Sequence, residues 1–309
     1  MKILIIQLAR LGDILQTWPV CSALKREGHQ VHILVRPRFK AALEGAPIDR
    51  VHLYETRKIL EPLLNQDSLE GSVESLSRCL DSLAIENFDR IVNLSFSPVS
   101  SWIVRELELR EEAKDVRGYS RHPDGALSIP DDGAAYFFAQ VGFNFSTPAR
   151  PQRGINRIPL PHLFGAVTGV ELTEKDWALP SFVADRSDDS MRAAIARDHG
   201  LSDAAQRRIV LHVGTSESHK SVRPRDWGRI LMATLDTIPE DVLLVGSADE
   251  TPQADIVLEA LPERLRPRVQ CLVGKTTFRE LWSVVRSAEY LLAADSVVAQ
   301  MAAFVGRPM

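Results

Sequence analysis

Eight short, almost continuous apolar runs constrain this chain more than any other feature: "KILII", "QVHILV", "RVHLYE" and "DRIVNLSF", then "RRIVLHVG", "DVLLVG", "VQCLVG" and "EYLLAAD". Helix-length segments separate them. A strand that is apolar at nearly every position must be covered on both faces, and strands joined through helices run parallel. The pattern predicts an α/β protein with doubly wound parallel sheets.

The runs fall into two groups, and 309 residues suit two domains of ordinary size. The first group ends near residue 96, with a further strand expected at "DVRGYS". An irregular stretch from Ser128 to Pro161 follows, within which "AAYFFAQVGF" is apolar enough to pack as a helix. The boundaries drawn are 1–172, a linker over 173–187 through "TEKDWALPSFVADRS", and 188–309, opening on the helix "DDSMRAAIARDHG" capped at Gly200. The chain closes on "FVGRPM". A Gly-x-Pro turn after a helix leads into another strand, so the second sheet is expected to lack its last element.

A formal charge of −4 argues against a nucleic-acid-coating role. The first sixty residues nevertheless carry ten Lys or Arg against five acids. An anionic ligand or a membrane surface is one reading of that bias, and a solvated basic face is the other. Cys21, Cys79 and Cys271 lack disulfide or zinc spacing, so a reducing, cytoplasmic setting and no zinc site are expected. No signal segment or membrane span is visible.

Neither G-x-G-x-x-G nor G-x-x-x-x-G-K-[ST] occurs, so a nicotinamide or flavin cofactor of the usual kind is not indicated. Ligands of doubly wound sheets bind outside the carboxyl ends of the strands, so candidate residues are sought in those turns. The first turn, "LARLGD", holds Arg10 and a tight bend at Gly12. It sets Asp13 at a helix start, as a cap or as a general base. "GTSESHK" offers Thr215, Ser216 and Lys220 to a phosphate. "VGSADE" puts Glu250 where a carboxylate caps a helix or accepts from a ribose, and "AADS" puts Asp295 and Ser296 at another helix start.

Order and spacing add to these single signals. "ILIIQLARLGDILQTWPVCSALKREGHQVHILV", "IVLHVGTSESHKSVRPRDW", "LLVGSADE", "CLVGKTTFRELWSVVRSAEYLLAADS" and "AAFVGRP" together resemble glycosyltransferase family 9, the ADP-heptose:lipopolysaccharide heptosyltransferases. Residues 55 to 165 match only loosely. The resemblance implies a GT-B architecture, with two Rossmann-like domains facing across a cleft. It implies transfer of a heptose or related sugar from an ADP-activated donor to an anionic saccharide or lipid-linked acceptor at the inner membrane face, with inversion and no obligatory metal. Asp13 would be the general base, Lys220 would neutralise the donor phosphates, Glu250 would hold the ribose, and Asp295 and Ser296 would lie against the diphosphate. Thr215 and Ser216 would lie nearby; Arg10, Arg57 and Lys58 would meet the acceptor. Where the family pattern carries Gly and His after Asp-Ser, this chain has Val297 and Gln300, and Val222 and Arg223 replace Trp and Pro of the K-x-W-P segment. A degenerate nucleotide-binding relative without transferase activity, and a nucleotide-sugar epimerase, are the rival readings.

Overall fold

A computed structural model describes residues 1–309 apart from 66–68, 111–114, 142–156, 202–206 and 216–219. The described residues form two compact units, Met1–Ala178 and Leu179–Met309. The division falls inside the segment read as a linker, which carries a 3-10 turn at Glu174–Trp177 and a short helix at Ser181–Ala184.

All eight apolar runs form strands. In the first unit β1 (Lys2–Ile6), β2 (Gln30–Val35), β3 (Arg50–Leu53), β4 (Arg90–Asn93) and β5 (Asp115–Gly118) make a parallel sheet of order β3-β2-β1-β4-β5. Ile3, Leu4, Ile5 and Ile6 of β1 are all fully buried, as a central strand covered on both faces requires. One face packs on α3 (Leu69–Ala84) and α4 (Pro98–Leu109), where Leu4 and Ile6 share a core with Leu83, Ile103 and Leu107. The buried helix α1 (Leu11–Arg26) joins β1 to β2, and α2 (Thr56–Leu64) follows β3. Beyond β5 come a two-stranded antiparallel ribbon, β6 (Ser120–Arg121) with β7 (Leu127–Ser128), then α5 (Asp132–Val141) and α6 (Leu160–Thr168). The expected helix in "AAYFFAQVGF" is therefore present as far as Val141.

The second unit opens with α7 (Ser181–Ala184) and α8 (Asp188–His199), the latter closed by Gly200 in the left-handed region, as the sequence predicts. Its parallel sheet has the order β10-β9-β8-β11, from β8 (Arg208–His212), β9 (Asp241–Val245), β10 (Val269–Cys271) and β11 (Leu291–Ala293). Helices α9 (Pro224–Thr237), α10 (Thr251–Glu259), α11 (Phe278–Ser287) and α12 (Val297–Val305) alternate with these strands. Ile209, Leu211, Leu231 and Leu244 centre the core between β8, β9 and α9.

Two histidines interrupt the apolar pattern of β2 and β3. His32 Nδ1 lies 3.0 Å from His52 Nε2, and Phe88 sets its edge against both rings. Burial, then the neighbouring His32 and Arg50, push the His52 imidazole down from 6.5 to about 4. The unfolded chain binds that proton first as pH falls, so stability drops between 6.5 and 4. The loss should reach about 2 to 3 kcal/mol by pH 4.5. Urea midpoints measured across this range should show the full slope in the parent chain and a shallower one in His52→Gln, where His32, whose imidazole burial also pushes down, carries the remainder.

Candidate functional site

Both sheets reverse their winding at one place, and there two neighbouring strands send their helices to opposite faces. In the first unit this lies between β1 and β4, in the second between β8 and β11. The crevice at the carboxyl ends of such a strand pair is where open α/β sheets hold ligands. Asp13 follows β1, and Thr215, Lys220, Asp295 and Ser296 follow β8 or β11. Five of the residues singled out in the sequence, Asp13, Thr215, Lys220, Asp295 and Ser296, thus follow strands at the two switch points.

In the first unit the bend out of β1 spans Leu8 to Arg10. Gly12 is the second residue of α1 and has no positive φ, which corrects the expected tight turn at that glycine. Asp13 is the third helical residue; its Oδ2 accepts the Arg10 N–H at 3.1 Å, the capping role expected of a carboxylate there. Beneath it lies a buried polar network. Thr17 Oγ1 donates to the Asp13 carbonyl at 2.8 Å and accepts from Gln7 Nε2 at 3.2 Å. Gln7 Oε1 accepts from Ser95 Oγ at 3.1 Å, and Ser95 Oγ accepts the Leu8 N–H at 2.5 Å. Asn93 Oδ1 accepts the Ser95 N–H, and Asn93 Nδ2 donates to the Tyr119 carbonyl. Gln7, Thr17 and Asn93 are fully buried. Satisfied networks of this kind rigidify what they hold, here the turn that carries Asp13. Sequence reasoning missed Gln7, Asn93 and Ser95, although a glutamine and an asparagine at the carboxyl ends of otherwise apolar strands are the signal that would have found them.

The second switch point brings side chains from three strand ends together. Lys220 Nζ donates to Asp295 Oδ2 at 2.5 Å, and Thr215 Oγ1 donates to the Asp295 carbonyl at 3.1 Å. Ser296 begins α12 as its N-cap residue, but its side chain makes no capping bond; Oγ lies 3.0 Å from His212 Nδ1 instead. His212 is the buried last residue of β8, and its Nε2 lies 3.6 Å from Glu250 Oε2. That oxygen also accepts the Ser247 N–H at 2.6 Å, so Glu250 caps its 3-10 turn, Ala248–Glu250. A Cβ on Gly214 would fall 1.4 Å from Glu250 Oε1, so only glycine leaves room for the carboxylate there. Burial pushes the Glu250 carboxyl up, but His212 and the Ser247 N–H outweigh it and hold the group below its usual range. Sequence reasoning gave His212 no role.

Ser216 lies outside the described residues. Arg57 and Lys58 stand in the first turn of α2, at the carboxyl end of β3, which edges the same sheet. Both are exposed and paired along the chain, Arg57 with Glu61 at 3.4 Å and Lys58 with Glu55 at 3.8 Å. Arg10 is the exposed N-cap residue of α1. Among the described residues, His32, His52 and Glu86 form the one group with metal-ligand chemistry, their donor atoms within 4.8 Å of one another. Lys2 and Arg50 already bind the Glu86 carboxylate, which opposes a further cation there. Among the described residues no helix is long and apolar enough to cross a membrane.

No protein-family model and no curated protein matches this sequence. Solved structures do. A glycosyl transferase family 9 protein from Veillonella parvula DSM 2008 aligns over 99% of this chain and 79% of its own, with a TM-score of 0.67 at 15% identity. E. coli heptosyltransferase WaaC with ADP aligns over 100% and 86%, with a TM-score of 0.64 at 16% identity. E. coli ADP-heptose lps heptosyltransferase II aligns over 100% and 83%, with a TM-score of 0.62 at 16% identity. Two parallel α/β sheets in this order along the chain, matched from end to end, mean that the chain has the GT-B fold of the family 9 glycosyl transferases.

Proposed function

We propose that this chain is an inverting glycosyltransferase that moves a heptose or related sugar from an ADP-activated donor to a hydroxyl of a saccharide acceptor. The observation that carries the reading is the placement of an anion-compatible cluster and a carboxylate at the two switch points. Lys220, Thr215 and Ser296 offer a cation and two hydroxyls around Asp295 in the second unit. Asp13 stands on its buried network in the first. The resemblance in sequence and the solved neighbour that contains ADP support the same reading.

Asp13 takes the proton of the acceptor hydroxyl as its oxygen attacks the anomeric carbon from the face opposite the nucleotide. The bond from that carbon to the diphosphate oxygen breaks, and the nucleoside diphosphate leaves with the electron pair. Lys220 leaves Asp295 for the diphosphate, Ser296 donates to it, and the first N–H groups of α12 add partial positive charge. Glu250 accepts from the ribose through the carboxylate oxygen not turned to Ser247. Arg10, Arg57 and Lys58 attract an anionic or lipid-linked acceptor, in keeping with lipopolysaccharide core assembly at the cytoplasmic membrane face.

Calorimetric titration with ADP, UDP and GDP side by side tests the donor half. ADP is expected to bind in preference to the other two, and Lys220→Ala to weaken that binding by roughly ten- to a hundredfold, the worth of one charge-assisted contact. Failure of all three to bind would withdraw the transferase reading. Conversion of a nucleotide sugar with no acceptor present would favour an epimerase.

A further inference from the structure

We propose that His212 is a positioning residue of the donor site, which takes up a proton when a nucleoside diphosphate binds and thereby releases the Ser296 hydroxyl to donate to the diphosphate. The inference rests on the second unit being the donor site.

The geometry sets the choice. His212 stands between two oxygens, Glu250 Oε2 at 3.6 Å from Nε2 and Ser296 Oγ at 3.0 Å from Nδ1. A neutral imidazole has one N–H. With that N–H directed to the Glu250 carboxylate, Nδ1 is an acceptor, and the Ser296 hydroxyl must spend its single hydrogen on it. The imidazolium donates from both nitrogens. Nδ1–H then points at Ser296 Oγ, whose own hydrogen turns outward, toward the start of α12, where N–H groups without intrahelical partners favour an anion.

The charges around His212 decide when this happens. On the β9 side it faces Glu250, which stays ionised because its carboxyl is held below the usual range. On the β11 side Asp295 is held by Lys220. If Lys220 moves to the diphosphate, Asp295 loses its cation and the ligand adds negative charge, and both changes favour a positive imidazole. Gln300, on the next turn of α12, is neutral at every pH and supplies no such charge. The strand end of β8 thus places an imidazole behind the phosphate-facing hydroxyl.

The test is ADP binding by the full chain near pH 8, above the phosphate ionisation at about 6, in phosphate-free buffers of unlike ionisation enthalpy such as Hepes and Tris. The parent chain is expected to take up roughly half to one proton per ADP, and its affinity to fall by up to about tenfold per pH unit above neutrality. His212→Gln, still folded by circular dichroism, is expected to bind ADP more weakly, with no buffer dependence and a flat pH profile. Equal uptake by both proteins, or none by the parent, overturns the inference and leaves the donor site standing. No ADP binding by the parent overturns both together. If His212→Gln does not fold, imidazole nitrogen shifts of the parent chain decide: an imidazolium signature on adding ADP supports the inference, and a ring that stays neutral overturns it.

Discussion

Asp13→Asn is expected to slow sugar transfer by about 10²- to 10⁴-fold, the usual contribution of a general base, while leaving the fold and nucleotide binding as they were. Asparagine keeps a side-chain oxygen that can accept the Arg10 N–H, so the capping bond at 3.1 Å survives the change. What disappears is the ability to take a proton. Release of nucleoside diphosphate from the sugar donor in the presence of acceptor measures the transfer, and the thermal midpoint measures the cap. Unchanged turnover would leave Asp13 as a cap alone; lost turnover with lost stability would mean that the network below it had been disturbed.

The largest effect on stability is expected from Gly118→Ala. Gly118 ends β5 with φ +85°, and a Cβ there would lie 2.1 Å from the carbonyl oxygen of Asn93. Alanine must therefore accept a left-handed backbone and push against the adjacent strand at once. The expected cost is about 3 kcal/mol or more, at the severe end of single substitutions, read from the denaturant midpoint of the first unit. Asn93 also accepts the Ser95 N–H in the network under Asp13. Transfer should fall with stability, and a variant as stable as the parent would mean that β5 can shift away from β4 at little cost.

Part of the candidate site was legible in the sequence because of where its residues fall. Asp13, Lys220, Glu250, Asp295 and Ser296 all follow apolar runs, and a polar residue just beyond a buried strand has to lie near the strand's carboxyl end. Their partners were not legible. That Lys220 reaches Asp295, 75 positions away, follows from β11 pairing with β8. That pairing skips two strands and leaves no local trace. Glu250 was open between cap and ribose ligand, and its capping bond to Ser247 shows that one carboxylate oxygen turns inward. Gly12 was misjudged because a glycine after a strand suggests a turn, whereas the bend closes two residues earlier and the helix has already begun.

The sequence by itself determined the class of the fold and where the strands of its two parallel sheets fall along the chain. Apolar periodicity, the Gly200 cap and the spacing of the runs act within a few residues of chain, and such local terms can be read along it. Only the tertiary structure decided strand order, and with it the two switch points and the contacts made there. His212 shows why: its place between Glu250 and Ser296 depends on β9 and β11 both lying beside β8, and that arrangement is set by burial of whole sheet faces rather than by any neighbour in sequence.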